Sequence, residues 1–137
     1  MLYLGFGSNL GNREENIRNA IALISERVGE VVKVSSFYES EAWGYCSENR
    51  FLNAAAAIET TLPPEEILSI IKTIEKELGR SDKKSDTYED RPIDIDILYY
   101  NDWVINTADL IIPHPHIAER AFVRVPLAEI KSPKNYP

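Results

Sequence analysis

Two aspartates, Asp94 and Asp96, stand two residues apart inside the run Arg91-Pro92-Ile93-Asp94-Ile95-Asp96-Ile97-Leu98. Strand side chains alternate between faces. Ile93, Ile95 and Ile97 therefore point to one side, and Asp94 and Asp96 to the other, about 6.5 to 7 Å apart along the chain. Aspartate is depleted in strands and like charges on one face repel, so the pair asks for compensation. Magnesium, a hard cation that takes oxygen ligands, supplies it, and such a pair could bridge two ions about 3.5 to 4 Å apart. The plainer alternative is a solvent-facing edge strand with incidental acids.

Cations gather near that pair in sequence. Arg80 and Arg91 flank a segment, 80 to 90, that holds Lys83 and Lys84 and has no apolar periodicity; it reads as a long loop. Guanidinium forks and ammonium groups beside two carboxylates suit a polyphosphate gripped by metal on one side and cations on the other. A solvated charged loop is the alternative. His114 lies between Pro113 and Pro115, ahead of Arg120 and Phe122, where a rigid turn could aim it at a phosphate or let it cap local backbone. Trp43, Phe51 and Asn53 stand close in sequence, and Phe51 and Asn53, two apart, share a face that could offer a ring and an amide to one planar ligand. Equally, Phe51 could be core and Asn53 could top a turn. Gly5-Phe6-Gly7-Ser8-Asn9-Leu10-Gly11 has the wrong glycine spacing for a dinucleotide fingerprint, and no P-loop motif is present.

The elements that must carry these residues follow from periodicity. Leu2 to Phe6 reads as a buried strand ending at Gly7-Ser8-Asn9. A helix from about Glu14 repeats Ile17, Ile21, Ile24 and Val28 and is capped by Gly29. Val31 to Ser40 reads as one strand, 41 to 50 as an irregular loop, and Phe51 to Thr60 as a third strand. Pro63-Pro64-Glu65-Glu66 opens a helix with the stripe Ile67, Ile70, Ile71, Ile74 and Leu78, stopped by Gly79. Pro92 to Tyr100 is a fourth strand, Asn101-Asp102 a turn, and Ile117 to Phe122 a short helix. The tail from Lys131 reads as poorly ordered. The order β-α-β-β-α-β predicts a ferredoxin-like α+β sandwich, with packed helices against one face of a mostly antiparallel sheet.

Composition bounds the partners. At 137 residues the chain is predicted to form a single domain, 1–137. A net charge of −7 opposes binding to nucleic acid or an anionic membrane, while leaving room for a small anion met by local cations or a metal. Cys46 is the only cysteine, so no internal disulfide can form. No apolar run approaches the about 18 residues of a membrane span, and a cytoplasmic location is expected.

Taken together, the words Gly7-Ser8-Asn9-Leu10-Gly11, Ser35-Ser36-Phe37-Tyr38-Glu39, Phe51-Leu52-Asn53-Ala54, Glu77-Leu78-Gly79-Arg80, Arg91 to Asp96, Pro113-His114 and Phe122 to Leu127 resemble, in order and spacing, the pterin pyrophosphokinase family. The resemblance implies transfer of pyrophosphate from ATP to 6-hydroxymethyl-7,8-dihydropterin, and a monomer is expected. It implies two Mg2+ ions on Asp94 and Asp96, and phosphate contacts from Arg80, Arg91, His114 and Arg120, with Lys83 or Lys84 closing over them. Asn53 would read the pterin edge, Phe51 and Phe122 would sandwich its ring, and the Ser40 to Trp43 backbone would line the pocket. Glu41, Ala42, Tyr88 and Glu89-Asp90 depart from the family's usual residues. Asp109 and Ile111 stand where some relatives use polar contacts, which shifts adenosine binding toward backbone. A non-catalytic effector-binding module, or a transferase acting on another planar alcohol, would be the competing readings.

Overall fold

Leu2, Leu4 and Phe6 are buried on one face of the first strand, β1 (Leu2–Ser8), and every second residue between them faces the other way. The computed structural model describes residues 1–41, 49–79 and 92–131. After β1 the chain turns through Gly11, whose φ of +69° is the left-handed region that glycine enters without strain. Helix α1 (Arg13–Arg27) then begins where the Asn12 side chain accepts the Glu15 N–H at 3.1 Å. Glu14 and Glu15 in its first turn complement the helix dipole.

The second predicted strand is two strands. β2 (Glu30–Val34) and β3 (Tyr38–Ser40) both pair with β4 (Phe51–Glu59), and the register from Val34↔Ala56 to Tyr38↔Asn53 places one extra residue on the β2–β3 side. That bulge falls at Ser36-Phe37, because Ser35 still exchanges bonds with Ala55: its N–H donates to the Ala55 carbonyl and its Oγ accepts the Ala55 N–H, each at 2.8 Å. Helix α2 (Pro64–Glu77) starts with Pro64 in its first turn, buries Ile67, Ile71 and Ile74, and gives way to Gly79 at φ +103°. β5 (Asp94–Tyr100) follows, then the two-residue strands β6 (Ile105–Asn106) and β7 (Ile111–Ile112), which pair with each other.

The main sheet runs β2-β4-β1-β5, with β3 also on β4, and every pairing in it is antiparallel. This is the ferredoxin-like order expected from the sequence. α1 and α2 cover one face, where Leu2, Leu4, Phe6, Ile17, Ile24, Ile58 and Ile95 share one core. Burying each such isoleucine or leucine stabilises the fold by roughly 2 kcal/mol.

The expectation that helices lie against one face needs correction. Residues 115–119 form a turn, and the helix expected at Ile117–Phe122 is α3 (Ala121–Ile130), later and longer. It packs on the opposite face, where Leu127 and Ile130 meet Tyr3, Ala55, Ala57 and Leu98. Pro126 inside α3 hid it from a propensity reading, since proline removes a helical N–H. The tail expectation also shifts. Lys131 is buried, donates its N–H to the Leu127 carbonyl at 2.9 Å, and sets its ammonium 3.8 Å from the centre of the Tyr99 ring. Residues 132–137 lie outside the described residues. Among the described residues no helix is long and apolar enough to cross a membrane.

Gly29 ends α1 for a different reason from the one its position suggests. It does not adopt a left-handed φ; instead, a Cβ there would fall 2.2 Å from the Glu59 carbonyl oxygen and 2.9 Å from Thr60 Cβ. The glycine lets the chain leave α1 in contact with the end of β4. Gly29→Ala should therefore lower unfolding free energy by about 2 kcal/mol or more, through forced backbone displacement. Urea denaturation checks this, and an unchanged midpoint would show that the contact can open at no cost.

Candidate active site

β1 is the floor of the site because two of its residues have no side chain. In the register, Gly7 lies opposite Asn53 on β4 and opposite Asp94 on β5, while Gly5 lies between Ala55 and Asp96. Directly opposed residues in antiparallel pairs are about 5 Å apart, so Asn53 and Asp94 stand about 10 Å from each other across a bare glycine. Alternation confirms the face: Ile93, Ile95 and Ile97 enter the core under α1 and α2, which leaves Asp94 and Asp96, both half-buried, on the α3 side. The alternation stops at a bulge near Leu98, after which Leu98 and Tyr99 both pack on the α3 side.

Asn53 is buried inside β4 rather than at a turn. Its Nδ2 donates to the Tyr38 carbonyl at 3.0 Å and to Ser40 Oγ at 2.9 Å. Both amide hydrogens are spent on β3, so the group Asn53 can offer a ligand is its oxygen, an acceptor. A Cβ on Gly7 would lie 3.5 Å from that oxygen and 3.4 Å from Phe51 Cδ1. Phe51 is thus partly exposed beside the glycine floor rather than in the core.

β5 is an edge strand, and a groove of about 330 Å³ runs along its outer edge. Its walls are Leu68, Ile71, Lys72 and Glu75 from α2, Asp94 to Asp96, and His114, Pro115, His116 and Arg120. A neighbouring hollow of about 260 Å³ shares Leu68, Asp96 and His114 and extends over Ile97 to Ala108, Asp109, Leu110 and Ile111. Lys72, Glu75, Asp94, Asp96 and Arg120 bring charge to the first compartment, while Leu68, Ile97, Leu110 and Ile111 line the second beside Asp96 and Asp109. Glu75, a buried acid on α2, accepts the Ile95 N–H at 2.9 Å. It satisfies one ladder group that the edge of the sheet would otherwise expose, and it holds α2 against the strand that carries both aspartates.

His114 caps local backbone, and it also lines the groove. Its N–H donates to the Leu98 carbonyl at 3.1 Å, just past the cis peptide bond between Ile112 and Pro113. Its Nδ1 accepts the His116 N–H at 3.2 Å, which leaves the proton on Nε2, 4.0 Å from Asp96 Oδ1. Burial, with Arg120 and His116 nearby, pushes its pKa down to about 4 against the opposing pull of Asp94. Arg120, also buried, precedes α3 and lies 5.7 Å from the centre of the Phe122 ring. Phe122 follows in the first turn of α3, whose body packs across β4, β3 and β1.

Of the residues singled out from sequence, the structure brings Asp94, Asp96, His114 and Arg120 to one groove, and sets Ser40, Asn53 and Phe51 together beside Gly7. Phe122 stands beside Arg120. Trp43, Arg80, Lys83, Lys84 and Arg91 lie outside the described residues, as do most of the 41–50 connection and the 80–91 segment. Sequence reasoning missed Leu68, Lys72 and Glu75. The only signal for them was their place on the rim of the α2 apolar stripe, with Lys72 and Glu75 as charged residues there and Leu68 as one more leucine, a pattern shared with any surface helix.

Comparison with known proteins adds to this geometry. The sequence model of the 7,8-dihydro-6-hydroxymethylpterin-pyrophosphokinase (HPPK) family matches residues 3–132. A 2-amino-4-hydroxy-6-hydroxymethyldihydropteridine pyrophosphokinase of Porphyromonas gingivalis is 43% identical over 132 residues, covering 95% of this chain and 90% of that protein. One of Bacillus subtilis is 45% identical over 129 residues, 93% of this chain and 76% of that protein. A solved HPPK-DHPS crystallised with substrates has the same fold, with a TM-score of 0.71 over 94% of this chain at 16% identity; this chain spans 39% of that one.

The buried imidazole generates a pH signature. The unfolded chain takes up the His114 proton near its ordinary value of about 6.5, whereas the folded free protein does so only near 4. Between these values the unfolded state binds more protons, so this contribution to stability is whole above 6.5 and is lost as pH falls toward 4. In nitrogen NMR of the ligand-free protein at pH 6, one imidazole should be neutral with a bare Nδ1, and His114→Asn should remove that signal. A midpoint near 6.5 for His114 would overturn the assignment.

Proposed function

The chain belongs to the 7,8-dihydro-6-hydroxymethylpterin-pyrophosphokinase family, and from that premise we propose how its residues divide the reaction. The enzyme transfers pyrophosphate from ATP to the hydroxymethyl group of 6-hydroxymethyl-7,8-dihydropterin, giving the pterin diphosphate and AMP. The observation that carries the division of labour is the row Asn53, Gly7, Asp94: an acceptor amide and a carboxylate face each other across a strand residue without a side chain. A flat ring laid on Gly7 has its edge at Asn53 and its far side at the aspartates.

The pterin is read first by Asn53. Because its amide hydrogens are held by Tyr38 and Ser40, its oxygen accepts from a ring N–H or amino group. Phe51 borders the same floor and supplies one aromatic wall, and Phe122 at the start of α3 supplies the other; the family resemblance assigns Trp43 to the same pocket. The nucleotide occupies the groove along β5. Its base suits the second hollow, with Leu68, Ile97 and Leu110 as apolar contacts and the backbone at Asp109 and Ile111 as its polar partner. Its phosphates suit the charged compartment, with Lys72, Arg120 and the Nε2–H of neutral His114, and the family resemblance assigns Arg80, Arg91 and Lys83 or Lys84 to the same phosphates.

Asp94 and Asp96 fit magnesium. They are two half-exposed carboxylates on one face, and no group of three or more His, Cys, Asp or Glu forms a closed cage among the described residues. Magnesium favours such a site, with one or two carboxylates and substrate phosphates completing its shell. Bound there, as two ions, it would neutralise phosphate charge that the acidic chain cannot. The pterin hydroxymethyl oxygen forms a bond to the β-phosphorus, the bond from that phosphorus to the α,β-bridging oxygen breaks, and AMP leaves with the electron pair. Asp94, beside Gly7, orients the hydroxyl, whose proton passes to solvent as the O–P bond forms. The chain's share is positioning and charge, and the family reaction needs no covalent enzyme intermediate. A cytoplasmic monomer suits the single Cys46 and the small-molecule substrates.

The direct test is AMP formation from ATP and magnesium, with and without the pterin alcohol, following the product by mass. Pterin-dependent AMP together with a diphosphorylated pterin is the expected result; AMP without pterin phosphorylation would point to another acceptor. Asp96→Ala should cut turnover by about a thousandfold or more while leaving the thermal midpoint near that of the parent. Near-normal turnover would remove Asp96 from the metal site.

A further inference from the structure

The geometry points to Glu129, on the last turn of α3, as a positioning residue that sets the amide of Asn53 through β3, and so tunes pterin affinity without touching the ligand. The inference rests on the reading of Asn53 given above. The bulge at Ser36-Phe37 takes the Ser36 N–H out of the ladder with β4. Glu129 Oε1 accepts that N–H at 2.9 Å and the Ser36 hydroxyl at 2.7 Å, and its Oε2 accepts the Tyr38 hydroxyl. Three donors on one carboxylate hold its pKa below the usual range and raise that of the Tyr38 phenol.

β3 is three residues long and pairs only with β4 among the described residues, so its own ladder constrains it weakly. Yet both hydrogens of the Asn53 amide end on β3, at the Tyr38 carbonyl and Ser40 Oγ. If Tyr38 moves, the amide loses the partner that decides which of its two ends faces Gly7. The route from carboxylate to ligand runs through one residue: Glu129 fixes Tyr38 by its side chain, and Tyr38 fixes Asn53 by its backbone. The competing role is an anchor that merely ties α3 to the sheet, which would affect stability and both substrates alike.

The experiment measures pterin and ATP-analogue dissociation constants for the full chain and for Glu129→Gln, Tyr38→Phe and Asn53→Ala, with thermal midpoints alongside. Glutamine keeps the size but offers one acceptor oxygen where the carboxylate offers two. Glu129→Gln should weaken pterin binding about three- to tenfold, the range open to an exposed charge-assisted network, and leave nucleotide affinity within about twofold. Tyr38→Phe should move in the same direction. In an Asn53→Ala background, Glu129→Gln should add nothing, because the amide it positions is gone. Equal weakening of both ligands, an undiminished effect without Asn53, or unchanged pterin affinity in Glu129→Gln would each overturn the inference. Unchanged pterin affinity in Asn53→Ala alone would instead overturn the reading of the pocket on which it rests.

Discussion

The hydrogen-bond register of β1 between β4 and β5 decides which side chains share a surface. Side-chain direction in a strand repeats every two residues, so a slip of one residue would send Asn53 or the aspartates to the opposite face. The register is strongly specified because the other face of the same strands is packed: Leu2, Leu4 and Phe6 must meet Ala54, Ala56, Ile58, Ile95 and Ile97 beneath α1 and α2. The core therefore aligns the site. Gly7 contributes by what it lacks, since a Cβ there would meet the Asn53 oxygen and Phe51, while Gly5 leaves room for the Leu98 side chain.

A chain with a net charge of −7 that handles a polyanion must solve the electrostatics locally. The fold does so at the edge of its sheet. An unpaired strand edge is a liability, and here it is covered by groups that also build the groove: Glu75 takes the Ile95 N–H, and the His114 N–H reaches the Leu98 carbonyl. Covering the edge brings α2 and the 114–120 segment to the aspartates, and with them Lys72 and Arg120. His114 stays neutral in this setting near neutral pH, and the His116 N–H on its Nδ1 leaves its proton on Nε2.

α3 links the two halves of the site. Its start carries Arg120 to the groove along β5 with Phe122 beside it, its middle closes the second core with Leu127 and Ile130, and its last turn holds β3 through Glu129. A helix packed across the sheet face thus couples positions far apart in sequence: Ser36 and Glu129 are 93 residues apart.

Much was legible from sequence alone because it is local or strictly periodic. Apolar repeats located β1, α1, α2 and β5, the alternation around Asp94 and Asp96 put both acids on one face, and the order of elements gave the ferredoxin-like sheet. The resemblance along nearly the whole chain identified the chemistry, since several short words in a fixed order and spacing specify more than any one of them. What periodicity could not reach was set by contacts between distant segments. The break between β2 and β3 exists because Ser35 and Ala55 keep their bonds while one extra residue bulges out, a fact invisible in a run rich in β-branched and aromatic residues. α3 was misplaced because Pro126 reads as a breaker, yet packing on Tyr3, Ala55 and Leu98 outweighs the lost hydrogen bond. Lys72 and Glu75 look like ordinary helix-surface residues until β5 is laid beside them. Gly29 reads as a cap until Glu59 is seen to occupy the place where its side chain would be. Sequence determined residue chemistry and local pattern; tertiary structure decided adjacency, because a partner fifty or ninety residues away leaves no trace in the spacing of its neighbours.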